Sequence, residues 1–292
     1  MHRPTRLFQI ALLLVAFIST SNLSAQEKFE WEHDDIPFSK SFSKWNEKSP
    51  AVNLFGGLST FDRYKIDSTI EDDLFFGIEL GMERISTSND AEGIAEKTFD
   101  GLFLFYHLAP SNTNGTMTTE LWRFGFADET SYGYKFGEGN AGLYLGAGSS
   151  PLTWGTVNVQ QVGADSVQMA ELLRLDDGLR FGEQMNADID VRFAEPVSLM
   201  VRYDWTQIYP RHMFWYWGLS LMIEGVSKGL LSAFINSIGN SSPAALPIMN
   251  FILQNGLSMG FKALRMNKMN WPFDTEAPLN VMSYSVGVSV HF

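Results

Sequence analysis

The chain has no cysteine, which excludes disulfide staples, thiolate nucleophiles and thiolate metal sites together. Positive charge is scarce: 21 Lys and Arg stand against 33 Asp and Glu, a formal net charge of −12, and an acidic chain of this kind is not expected to bind nucleic acid. The sequence contains no phosphate-cradling glycine loop, no zinc-ligand spacing and no nucleophile-elbow motif. No metal site and no cofactor are therefore expected. Hydropathy is near neutral overall, which argues against a bundle of membrane-spanning helices.

What is present begins with an address. His2, Arg3 and Arg6 precede an apolar run from Leu7 to Ile18 broken only by Gln9, and small residues follow up to Leu23-Ser24-Ala25. About a dozen apolar residues are too few to cross a bilayer, so residues 1–25 read as a secretory signal peptide cleaved after Ala25. Residues 26–50 mix charges with scattered aromatics and no clear period, and read as a periplasmic lead-in.

From residue 51 onward the dominant signal is alternation. Leu74, Phe76, Ile78, Leu80 and Met82 alternate with Phe75, Gly77, Glu79, Gly81 and Glu83. Ala187, Ile189, Val191 and Phe193 alternate with Asn186, Asp188, Asp190 and Arg192, the chain turns at Ala194-Glu195-Pro196, and Val197 to Trp205 alternates again with Arg202 and Asp204 on the polar side. Period two with unlike faces means a strand between two different environments. Further strands are expected at 51–60, 99–109, 116–127, 132–148, 213–224 and 256–266, with Gly139-Asn140 a possible hairpin turn inside the fifth. A long loop with a short helical piece is expected over 151–177. Within residues 225–255 the period changes to that of a helical pair, Val226 to Ile238 and Ala244 to Gln254, each too short to span a membrane.

The last residues alternate as well. Met282, Tyr284, Val286, Val288, Val290 and Phe292 are apolar, while Ser283, Ser285, Gly287, Ser289 and His291 are small or polar. An apolar step of two that ends on an aromatic resembles the C-terminal signature of bacterial outer-membrane β-barrels, and the cleavage context and aromatic-rich strands look like Bacteroidota-type exported proteins. The resemblance implies an all-β membrane protein, an antiparallel transmembrane barrel over residues 51–292, placed in the outer membrane. Tyr284, Val286, Val288, Val290 and Phe292 would then be the signal read by the barrel assembly machinery. Such barrels keep both ends in the periplasm, so strand number is even. The count gives ten, with eight and twelve open, and puts the helical pair on the periplasmic side, capping the barrel, entering its lumen or resting on the membrane surface.

In a barrel the charged faces turn inward. That collects Glu79, Glu83, Arg123, Asp188, Asp190, Arg192, Arg202, Asp204, Glu224 and Lys262 in the lumen. The bland reading, a structural network of paired charges, comes first, because unpaired charge in a narrow lumen is costly. A selectivity lining for a narrow, porin-like solute path comes second. Catalysis comes third: the only histidines expected inside the barrel span with a possible role are His107 and His212, and His291 receives none. No catalytic residue is assigned. The partners expected are outer-membrane lipid and lipopolysaccharide; Glu71-Asp72-Asp73 reads first as a solvated loop and second as a cation bridge to lipopolysaccharide. The rival readings are a lipid-modifying or proteolytic barrel enzyme, and a secreted soluble β protein with Leu74, Phe76, Ile78 and Leu80 in its core.

Overall fold

Residue-by-residue alternation produces a sheet that closes on itself in the computed structural model, which describes residues 48–64, 66, 70, 72–87, 93–108, 118–136, 139–160, 166–176, 178–194 and 196–292. The strands are β1 (Ser49–Asp62), β2 (Asp73–Thr87), β3 (Ile94–Leu108), β4 (Thr118–Lys135), β5 (Gly142–Gln160), β6 (Leu179–Ala194), β7 (Val197–Ile208) and β8 (Leu279–His291). Each pairs antiparallel with its neighbour in sequence order, and β1 pairs with β8, from Ala51 opposite His291 to Asp62 opposite Asn280. Among the described residues no strand edge is left open, which removes the aggregation hazard of an unpaired edge. The expected signal peptide, most of the lead-in and Glu71 lie outside the described residues.

The barrel has eight strands, not ten. The segments 213–224 and 256–266 belong to two helices. Besides α1 (Ser166–Leu173) there are α2 (Phe214–Ser241) and α3 (Leu246–Arg265), separated by a 3-10 turn, Pro243–Ala245. The helical insertion therefore runs well beyond 225–255 at both ends. The error has a physical cause. In α2 the four aromatics Phe214, Trp215, Tyr216 and Trp217 are consecutive, and a segment that is apolar nearly all round fits period two as well as period 3.6. In α3 the buried positions are largely polar, Asn250, Asn255, Ser258, Lys262 and Arg265 among them. A helix whose covered face is polar inverts the pattern by which helices are recognised.

The side was also wrong. The start of β1, the end of β8 and the strand ends joined by the β2–β3, β4–β5 and β6–β7 connections share one end of the barrel, and the helical pair occupies the β7–β8 connection, which leaves from the opposite end.

Two local departures come from irregularities that alternation alone hides. The strand β5 carries on through Pro151 to Gln160 where a loop was expected, because a bulge between Ser150 and Thr153 absorbs the proline and shifts the phase of the strand by one residue. Before the bulge Tyr144, Gly146 and Gly148 are the inward positions; after it they are Thr153, Gly155, Val157 and Val159. The connection at Gly139 has φ +64°, a left-handed conformation that glycine adopts freely, and makes the β4–β5 hairpin.

The closing seam depends on a missing side chain. A Cβ on Gly57 would lie 2.0 Å from the Tyr284 carbonyl oxygen and 2.8 Å from Ser285 Cα, both backbone atoms of the facing strand. Gly57→Ala is expected to push β1 and β8 apart and destabilise the barrel by about 1–3 kcal/mol. The measurement is the urea midpoint of the refolded protein followed by tryptophan fluorescence; an unchanged midpoint would show that the seam tolerates the methyl.

Candidate functional site

The outward and inward faces have opposite chemistry. Leu80 is 53% exposed, Phe76 57% and Val286 66%, and Leu54, Leu58, Leu74, Leu102, Leu199 and Val201 are exposed too. The reading that packs Leu74, Phe76, Ile78 and Leu80 into a core between two sheets does not hold, since the strand turns its apolar residues outward and buries Glu79 and Glu83. The proposed assembly residues Tyr284, Val286, Val288 and Phe292 are exposed on the same outer surface, with Val290 half-buried.

Inside, charged side chains bridge strands that are not neighbours. Arg202 on β7 donates through Nη1 to Glu79 Oε1 on β2 at 2.5 Å and through Nη2 to Glu129 Oε2 on β4 at 2.7 Å, and its guanidinium lies 4.4 Å from the centre of the Phe55 ring. Lys97 on β3 reaches across to Asp190 on β6 at 2.7 Å and to Glu129 at 3.7 Å. Arg192 donates to Glu83 at 2.7 Å. Asp188 fills the space left by Gly146, its Oδ1 standing 2.1 Å from where a Cβ would be. Nearer the loop-bearing end, Arg123 donates to His107 Nε2 at 2.9 Å, to Gln184 Oε1 at 3.3 Å and to the Thr206 hydroxyl, and Gln184 in turn donates to Asp204 Oδ1 at 2.9 Å. Above this layer Met169 and Leu172 of α1 pack with Leu121, Val157, Val159, Leu175 and Val281 in one buried apolar cluster.

Lys97 and Glu129 were missed because the strands holding them were begun and ended too late and too early: β3 starts at Ile94 rather than 99, and β4 continues to Lys135 rather than 127. Two residues assigned to the lumen are not there. Glu224 lies on α2 and Lys262 on α3, and both meet the outside of the wall.

That outside contact forms a second polar cluster. Glu183, at an outward position of β6, is 3% exposed because the helical pair covers it. Arg265 donates to Glu183 Oε1 at 2.7 Å and to Glu224 Oε2 at 2.5 Å, Lys262 meets Glu183 at 3.0 Å, and Lys228 meets Glu224 at 2.8 Å. Gln207, also outward, donates to the Lys262 carbonyl at 2.9 Å, Asn255 donates to the Gly146 carbonyl at 3.1 Å, and Tyr134 near the chain-end rim donates to the Ala244 carbonyl at 2.7 Å. These contacts track the pair along the outer surface of β4 to β7 from one rim to the other. It neither caps the barrel nor enters the lumen. Among the described residues α2 is the one helix long and apolar enough to cross a membrane; its 28 residues reach about 42 Å.

The histidines separate the catalytic reading from the structural one. His107 accepts from Arg123 and stacks on Phe75 at 5.3 Å; His212 sits among the rings of Phe181, Phe214 and Trp217. His291, to which the sequence assigned nothing, stands between Glu83, 3.0 Å from Nδ1, and the Ser198 hydroxyl, 3.4 Å from Nε2. The order Ser, His, Glu is that of a hydrolytic triad, but Ser198 is 0% exposed and Glu83 is also held by Arg192. A nucleophile needs room for a reacting carbon beside it, and Ser198 has none.

No family model and no curated protein matches the chain. Among solved structures it is similar to Neisserial surface protein A, at 13% identity and a TM-score of 0.36, over 83% of this chain and 97% of that one.

Proposed function

We propose that this protein is an integral outer-membrane β-barrel whose lumen is closed by its own side chains, a structural element of the membrane rather than a conduit or an enzyme. The observation that carries the reading is Arg202, a buried cation on β7 that binds carboxylates on β2 and β4 at once and so ties the wall together across the space a solute would need. The apolar plug over α1 supports the same reading at the mouth. An apolar outer face and a charged, paired interior are what a barrel requires when its solvent is hydrocarbon. Outer-membrane lipid is the partner that covers Leu80, Phe76 and Val201, and the alternating face from Tyr284 to Phe292 is the segment offered to the assembly machinery.

The test is electrical. Purified protein in a planar bilayer is expected to give no single-channel steps at any voltage up to membrane rupture, while the same preparation shifts mobility on a detergent gel when boiled. Reproducible conductance would overturn the closed lumen, and a band that never shifts would overturn the membrane barrel.

A further inference from the structure

The lumen does not hold a cation for every acid. Lys97 is shared between Asp190 and Glu129, Arg202 between Glu79 and Glu129, and Arg192 donates to Glu83. Arg123 spends its donors on His107, Gln184, Thr206 and Ser283, none of them a carboxylate. Asp188 and Asp204 are left over. They are 1% and 0% exposed, and among the described residues neither belongs to an ion pair. Both oxygens of Asp188 lack a hydrogen-bond donor; Asp204 receives the Gln184 amide on Oδ1 at 2.9 Å and nothing on Oδ2.

Their surroundings oppose two further negative charges. Asp188 on β6 faces Gly146 on β5, Arg202 on β7, Lys97 on β3 and Glu129 on β4, with Asp190 two residues along its own strand. Both of those cations are engaged elsewhere, and Glu129 is the carboxylate that Arg202, Lys97, the Ser131 hydroxyl and the Asn186 amide already address. Asp204 on β7 has Asn186 and Ser283 beside it on β6 and β8, Arg123 and Glu129 on β4, Glu79 on β2 and Arg202 on its own strand. A carboxylate buried with neither cation nor full set of donors is far costlier than the neutral acid.

We propose that Asp188 and Asp204 each bind a proton in the folded barrel at neutral pH, so that two protons, rather than two more cations, complete the lumen. The inference rests on the closed lumen proposed above, since a water-filled path would hydrate both groups and let them ionise. In the unfolded chain both side chains are ionised above about pH 4, so folding must take up the two protons. Where the folded state binds more protons than the unfolded one, stability falls as pH rises. Two protons lower the folding constant by about a hundredfold per pH unit, until the folded barrel releases them. A barrel whose carboxylates were all ion-paired would respond in the opposite sense and weaken toward acid.

Asparagine has the shape of the neutral acid, which supplies the test. Full-length protein unfolded in urea is refolded into detergent micelles at pH 7 in weak buffer, and the protons taken up are counted with a pH indicator. Wild type is expected to take up about one proton more per barrel than Asp188→Asn, and about two more than Asp188→Asn with Asp204→Asn. Both variants should run as folded barrels on the unboiled gel, and the urea midpoint of the double variant should gain on wild type as pH is raised. Equal uptake by wild type and the double variant would overturn the site. So would failure of both variants to fold, because a group that is already neutral tolerates the amide. Single-channel conductance from the wild-type preparation would instead strike the closed lumen on which the site depends.

Discussion

Replacing Arg202 by methionine is expected to cost about 3–5 kcal/mol, the usual penalty for removing one partner of a buried ion pair. Glu79 and Glu129 are 1% and 4% exposed, so neither can turn to water when the guanidinium goes. Glu129 keeps Lys97 at 3.7 Å, whereas Glu79 keeps only the Asn53 amide, which donates to its Oε2 at 2.9 Å. Glu79 is thus the group left most exposed to low dielectric. Adding Glu79→Gln should recover part of the loss, and the non-additivity in the double-mutant cycle measures the pair. Urea titration in lipid vesicles, with the unboiled gel band as the folded fraction, reads both numbers. If Arg202→Met unfolds at the wild-type midpoint, the lumen network is decoration and the closed-lumen reading loses its support.

The outcome at Arg202 bears on what could be read beforehand. The eight charged positions from Glu79 to Asp204 that alternation assigned to a polar face all sit on β-strands of the barrel, because a period of two is a property of neighbouring residues and needs no knowledge of the partner strand. Which acid meets which base could not be read the same way: Arg202 and Glu79 are 123 residues apart, and their meeting depends on curvature and stagger that no local pattern encodes. Strand number failed for a related reason. Residues 213–224 alternate, but they lie in a helix that is mostly exposed, and a helix with no water side has no polar stripe to give it away. Glu224 and Lys262 were swept into the lumen by that error, and Glu183, which Lys262 and Arg265 hold, was passed over because the strand was begun at Asn186 whereas β6 starts at Leu179.

Glu183 also yields the sharpest test of the helical pair. Glu183→Leu would leave Lys262 and Arg265, 4% and 1% exposed, with Glu224 as their remaining carboxylate, and Glu224 already holds Lys228. Excess positive charge would then be trapped between helix and wall, a loss of about 3–5 kcal/mol, and the pair is expected to lift from the barrel. Combining Glu183→Leu with Lys262→Leu and Arg265→Met removes the excess and leaves Glu224 paired with Lys228 alone. Apolar groups of similar volume commonly replace a buried ion cluster without loss or with a gain of about 1–4 kcal/mol, so the triple variant should redock. Because the chain has no cysteine, spin labels can be placed singly at Val201 on the wall and Met259 on α3, both exposed, and their separation followed by double electron–electron resonance. Wild type and the triple variant are expected to give one narrow distance and Glu183→Leu a broad distribution. A narrow distance in Glu183→Leu would mean that packing and the backbone contacts at Gly146 and Ala244 hold the helices unaided, and that the charges on the outer wall serve something other than attachment.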